Sequence, residues 1–371
     1  MDFWPWQDSS DTRTLINLAS TCRSLCRSVL PFAYHHIHTT EWSPAQASHL
    51  LRILSLVPRL GSFVGCLTIQ AKLVPQDLGD DVLRVAVRRK MIRPGEPIGY
   101  YCTPVETPRG RGRYNYTPRP RYEAAEDKLP DHCQALHDLL VDVLLSTMPN
   151  IRHLSLDISS TAKHGNYLPG TFRLHHLRYL HIYCSTGAGD FEARGCDLLN
   201  LESLFEKAPN IVSLEIQLGG TCKWTVSPHL TFKNLRSLKL INSLIPRAGL
   251  KRITQKCPQL EEFILVHADE ANQTLKALPD ALFPCRETLR YLEVYWKPWG
   301  SRQPLSSIGS LHKLTNLKML VLGGESLRVE YDEDGKPTEA SLIKLLPSSI
   351  NSVWIEGQHL DLYAPMLALT E

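Results

Sequence analysis

The feature that most constrains the fold is a short apolar phrase, L-x-x-L-x-L with Ile, Val or Phe allowed in place of Leu. It recurs at Ile151/Leu154/Leu156, Leu177/Leu180/Ile182, Ile211/Leu214/Ile216 and Leu235/Leu238/Leu240, then at Leu260/Phe263/Leu265, Leu289/Leu292/Val294, Leu317/Leu320/Leu322 and Ile350/Val353/Ile355. Successive copies begin 26, 34, 24, 25, 29, 28 and 33 residues apart. An isolated earlier copy is Val64/Leu67/Ile69. Recurrence at this length marks a stack of similar units sharing one continuous core.

The last two apolar residues of each phrase are two apart, so in a strand they face one side while the residues between them face the other. Leu154 and Leu156 then point to a core and His153, Ser155 and Asp157 point away. Between phrases, Asp197–Ala208, Ala248–Cys257 and Ala340–Leu346 carry apolar residues three or four apart, as amphipathic helices do. Pro149, Pro209, Pro258 and Pro347 fall just before strands, where proline stops a helix and favours an extended entry. The expected unit is helix, turn, short strand. The expected fold class is α/β: a solenoid with parallel strands inside a curve and helices outside. On these residues the chain resembles the leucine-rich-repeat family over roughly residues 130–360, with a further unit near 64. The likeness is to the irregular repeats of F-box proteins, since the Asn or Cys that commonly follows the third apolar position is mostly absent. The resemblance implies strands on the concave face and helices on the convex face.

Ahead of the repeats, Leu15, Leu18, Cys22, Leu25 and Val29 recur at steps of three and four, which predicts an amphipathic helix with Asp11 as its N-cap and Pro31 at its end. Phe32, Tyr34 and Ile37 form a second apolar cluster. The run Leu15–Leu25 (LINLASTCRSL) and the exit Leu30–Ile37 (LPFAYHHI) resemble the second half of an F-box, as in fungal F-box/leucine-rich-repeat proteins. An F-box normally opens with a Leu-Pro-led helix. Here only Met1–Ser10 precedes the helix that carries the matching run, so the box is read as N-terminally incomplete, either through a truncated start or through degeneracy. The resemblance implies docking on a Skp-type adaptor through Leu15, Leu18, Cys22 and Leu25, and through it membership of a cullin-RING ubiquitin ligase. The alternative is that these helices only cap the open end of the solenoid. Residues 1–40 are therefore read as an F-box-like helical segment and 41–371 as the solenoid.

Between the copies at Val64 and Ile151 lies an insert, residues 93–127, expected to be disordered. Its stretch Arg93–Tyr122 is rich in Pro and Arg and has no apolar periodicity. Arg109, Arg111, Arg113, Arg119 and Arg121 alternate with Tyr114, Tyr116 and Tyr122, a pattern that can stack on single-stranded nucleic acid. The acidic stretch Glu123–Asp127 follows at once and favours a solvated loop. A formal charge of +3 argues against a dedicated nucleic-acid or membrane-surface binder. Ten scattered cysteines without a C-x-x-C pair, and the lack of a leader-like start, fit a reducing compartment, cytoplasmic or nuclear.

No catalytic motif stands in the chain: G-x-S-x-G, H-E-x-x-H and a strand-borne G-x-G-x-x-G are all missing. Gly165–Thr171 has the look of half a phosphate loop but carries Pro169 and no Lys. Asp332–Asp334 has too few oxygen ligands for calcium. Cys22, Cys26, His35 and His38 are spaced too closely for a zinc finger, and Cys22 lies on the apolar stripe, where a buried thiol is the ordinary expectation. A non-enzymatic role without metal or cofactor is expected. In the resembled family the concave face binds the ligand. Its aromatic positions here, Tyr179, Tyr183, Tyr291, Tyr295 and Trp354, are the candidate contacts for a protein target. Strand positions also favour Tyr and Trp for their β-propensity alone.

Overall fold

The computed structural model describes residues 9–39, 44–69, 79–93, 131–158, 165–184, 198–221, 229–245, 247–267, 272–296, 308–323 and 345–356. In chain order they form α1 (Ser9–Thr21), α2 (Arg23–Ala33), β1 (His36–His38), α3 (Pro44–Leu56), α4 (Pro58–Gly61), β2 (Cys66–Ile69), α5 (Gly79–Arg88) and α6 (Asp131–Thr147). There follow β3 (His153–Asp157), β4 (Tyr179–Cys184), α7 (Glu202–Lys207), β5 (Ser213–Thr221), β6 (Ser237–Leu244) and α8 (Arg247–Gln255). The last are β7 (Glu262–His267), α9 (Asn272–Leu282), β8 (Tyr291–Trp296), β9 (Met319–Gly323) and β10 (Ser352–Glu356). Among the described residues every strand joins one sheet of ten, in the order β1 to β10, and every pairing is parallel. The protein is α/β with an all-parallel sheet, an arrangement compatible with the stacked units that the periodicity predicts.

Each recurring phrase supplies one strand, and equivalent apolar positions meet across the ladder. Leu154 pairs with Leu67 on one side and Leu180 on the other, and Leu156 with Ile69 and Ile182. These side chains and the apolar faces of the helices (Leu51 and Leu54 of α3, Leu139 and Leu140 of α6, Leu250 and Ile253 of α8) form a single core cluster. Burying such a side chain fully contributes about 1.5–3 kcal/mol before the entropy of ordering it is subtracted.

Two hydrogen-bonding devices, one of the backbone and one of side chains, set the register. The carbonyl just ahead of each strand accepts two N–H groups from the next unit. His35 O takes Gly65 and Cys66, Gly65 O takes Arg152 and His153, and Arg152 O takes Arg178 and Tyr179, at 2.7–3.0 Å. The pattern continues to Lys318 O, which takes Asn351 and Ser352. The second device is an Asn immediately before the phrase. Asn150, Asn210 and Asn234 donate their side-chain amides to Ser62 O, His175 O and Pro209 O at 2.8, 3.0 and 3.1 Å, and Asn316 donates to Glu287 O. Turn carbonyls are thereby satisfied unit by unit, at positions that stay open to solvent.

The structure departs from the sequence expectations in several places. The sheet starts one strand earlier than the phrases do: Ile37 of β1 pairs with Leu67 and enters the core. Helices α3 and α5 occupy sequence on which no helix was expected, whereas α6 ends at Thr147, just ahead of the Pro149 expected to stop a helix. The predicted stripe from Leu15 to Val29 does not run along one helix. The backbone is extended at Cys22 (φ −157°, ψ 161°), which ends α1 and caps α2, and its thiol accepts from the Leu25 N–H at 3.5 Å. Asp11 lies within α1 instead of capping it, and Pro31 lies inside α2 instead of ending it. The helical stretch at 197–208 opens with a 3-10 turn, Leu198–Leu201, before α7. The insert at 94–127, the trio Asp332–Asp334 and most of Ala340–Leu346 lie outside the described residues.

Candidate functional site

The parallel register turns the outward strand positions into continuous rows. The first row runs His36, Cys66, His153, Tyr179, Ser213, Ser237, Glu262, Tyr291, Met319, Ser352. Two residues further along the strands, a second row runs His38, Thr68, Ser155, His181, Glu215, Lys239, Ile264, Glu293, Val321, Trp354. Asp157, Tyr183, Gln217, Ile241, Val266 and Tyr295 begin a third.

All five aromatic candidates occupy this outward face, but they fall into two groups. Tyr179 and Tyr183 stand on β4, and Tyr291, Tyr295 and Trp354 stand on β8 and β10. Four strand spacings, about 19 Å, separate β4 from β8. In the first group Tyr179, 48% exposed, stacks on His153 with ring centroids 4.4 Å apart. Tyr183 stacks on His181 at 5.1 Å, and the His181 ring lies 3.1 Å from Ser155 Oγ and 3.6 Å from the Glu215 carboxylate. Burial, reinforced by the nearby Asp157 carboxylate, pushes the Tyr183 hydroxyl up to about 12. Burial also lowers His181, with Glu215 opposing the shift, so the imidazole tends to be neutral. In the second group the Tyr291 hydroxyl donates to Glu293, and Tyr295 bonds Glu356. Burial and that carboxylate push Tyr295 up to about 12. These phenols remain protonated hydrogen-bond donors, and Trp354, 64% exposed, offers an apolar ring beside them. Ile264 and Val321 hold outward positions in the row between, yet both are buried.

A second surface lies on the N-terminal helices. α1 and α2 pack against each other. Leu30 and Tyr34, near the end of α2, pack on the common core. The candidate adaptor residues are not buried there: Leu15 is half-buried, and Leu18, Cys22 and Leu25 are exposed. Cys22 is thus an exposed helix cap, not the buried thiol that its place on the stripe suggested. Ile16 and Phe32 add to the apolar surface, at 50% and 65% exposed.

A third group was not foreseen in the sequence. His35, His36 and Cys66 bring their donor atoms within 4.8 Å of one another, and the Cys66 thiol lies 3.4 Å from His153 Nδ1. Burial pushes Cys66 up to about 11, partly offset by Arg152, and lowers His36 and His153, whose neighbouring imidazoles lower them further. The readable signal was the alignment of His36-Ile37, Cys66-Leu67 and His153-Leu154, a polar donor before the same apolar strand position in three consecutive rungs. The pattern Cys22, Cys26, His35, His38 does not gather; among the described residues His35 converges with His36 and Cys66 instead.

The rejected half phosphate loop has a structural role. Gly165 and Tyr167 donate their backbone N–H groups to the two oxygens of Asp142, a wholly buried carboxylate on α6, at 2.7 and 2.9 Å. Among the described residues no helix is long and apolar enough to cross a membrane. No protein-family model matches the chain, and comparison with curated proteins finds no match.

Proposed function

We propose that the chain is the non-catalytic substrate-recognition subunit of a Skp-cullin-F-box ubiquitin ligase, its leucine-rich repeats curved so that the outward strand face is concave and holds a protein target. The observation that carries this reading is the exposure of Ile16, Leu18, Leu25 and Phe32 on a helical pair whose far end is anchored in the core. Helices that served only as a cap would bury that stripe, because leaving large apolar side chains in water forgoes the main driving force of folding. Apolar side chains left exposed on a fixed helical pair are what an adaptor groove requires. The target would bind at the two aromatic groups, Tyr179 with Tyr183 and Tyr291, Tyr295 with Trp354, and the mechanism is proximity: a held target meets the ubiquitin-loaded enzyme at high effective concentration.

The test is capture of a purified Skp-type adaptor by the full chain and by Leu18→Asp and Leu25→Asp variants. The reading expects wild-type capture, and variants that melt as the wild type does but lose the adaptor. Failure of the wild type to bind would leave a repeat scaffold without a ligase role. Unfolding of both variants would assign the helices to capping.

A further inference from the structure

We propose that His35, His36 and Cys66, with His153 beside the thiol, form a binding site for a borderline-soft divalent cation, Zn2+, at the first three rungs of the sheet. The inference stands apart from the ligase reading and uses none of its residues.

The donor set is the first argument. Imidazole nitrogen and thiolate sulfur are the ligands zinc selects over carboxylate-preferring cations such as Mg2+ and Ca2+. The three groups already converge, with donor atoms within 4.8 Å of one another. Tetrahedral zinc draws such donors to roughly 3.3–3.6 Å apart. His35 and His36 are exposed, so small rotations of their side chains close the remaining gap without moving the sheet. Cys66 Sγ and His153 Nδ1, at 3.4 Å, already stand at that separation.

The surroundings are the second argument. His35 Nδ1 lies 3.3 Å from the Phe63 carbonyl. A proton on Nδ1 donated to that oxygen directs the lone pair of Nε2 away from it, the arrangement that commonly orients a ligating histidine. The ring also occupies space left by the missing side chain of Gly65: a Cβ there would stand 2.3 Å from His35 Cε1. The rings of His35 and His36 meet edge to face, with centroids 4.7 Å apart, so they approach a common point from different directions.

Binding requires the thiolate, so Zn2+ displaces the Cys66 proton to solvent. No electron is transferred. The bound ion would tie the α2–β1 connection to β2 and β3, fixing the helical pair to the start of the sheet.

The experiment is titration of the full chain, freed of metal, with Zn2+ in competition with a chromophoric chelator, and with Co2+ as a spectroscopic substitute. The expected result is a thiolate-to-cobalt charge-transfer band, at least tenfold weaker zinc binding in both Cys66→Ser and His36→Gln, and a zinc-dependent rise in Tm that both variants lose. Cys22→Ser and Cys26→Ser should bind as the wild type does. Absence of tight zinc binding to the wild type, or wild-type affinity in either Cys66→Ser or His36→Gln, overturns the proposal. His36 is exposed, so its variant decides the matter even if Cys66→Ser folds poorly.

Discussion

The imidazole of His153 and the phenol ring of Tyr179 lie face to face across adjacent strands, with centroids 4.4 Å apart and planes within 4°. Parallel pairing puts these residues directly opposite, so the contact follows from register and not from a turn. Stacked ring pairs contribute about 0.5–1.5 kcal/mol beyond their buried area. A double-mutant cycle with His153→Ala and Tyr179→Ala, read by urea denaturation, should return a coupling of about 0.5–1 kcal/mol. Tyr179→Ala alone should leave the fold intact, because about half of the residue is already in water.

Core and surface aromatics should separate sharply. Phe263 on β7 is fully buried, whereas Phe32 on α2 is 65% exposed. Phe263→Ala should cost about 3–5 kcal/mol through lost burial and the cavity left behind. Phe32→Ala should change stability by less than about 0.5 kcal/mol. Parallel chemical denaturation of the two variants checks both values.

Two glycines in one loop make a matched pair. Gly165 sits at φ +90°, and a Cβ there would stand 2.5 Å from the Leu204 backbone nitrogen. Gly170 has nothing within 4 Å of the same position. Gly165→Ala should cost about 1–3 kcal/mol, from strain and from displacing the start of α7. Gly170→Ala should melt with the wild type. The thermal midpoints of the two variants are the readout.

Asp142 should make stability fall as pH rises. Burial pushes its carboxyl up to about 8, against the Gly165 and Tyr167 N–H groups and Lys207, which favour the charged form, with Asp138 adding to the rise. The folded value lies above the ordinary carboxyl value of 3.8, so folding takes up a proton between the two. The contribution is whole below about pH 4 and is lost as pH climbs through about 8. Asp142→Asn should flatten that slope. It should also lose about 1–3 kcal/mol near pH 5, since an amide nitrogen facing a backbone N–H cannot replace the second acceptor. Denaturation midpoints across this pH range check the sign.

The strands were legible because alternation such as Leu154-Ser155-Leu156 reports one buried and one outward face without reference to the rest of the chain. β1 was not, because three residues around Ile37 are too few for periodicity to register. α3 was not legible: it lies ahead of the repeats at the isolated early copy, and its apolar residues serve neighbours that only the fold reveals. Cys22 was misplaced because a step of four suits a continuous helix and a helix-break-helix equally well. The outward aromatics could be named one by one, but their division into two groups required strand order. The group His35, His36, Cys66 and His153 was hidden for a plainer reason: its members lie on three rungs, with 87 residues between Cys66 and His153 alone, and those rungs meet only through lateral pairing.

Strictly sequential strand order means that no rung is locked behind another. A mechanical load applied between the two ends would peel the molecule one unit at a time, most events releasing about thirty residues of slack and the unit that carries the long insert releasing more, instead of rupturing it in a single step. By the same logic, a whole unit could be gained or lost through recombination while the ladders on either side kept their bonding partners, so the length of the stack is an easily altered variable and its pitch is not.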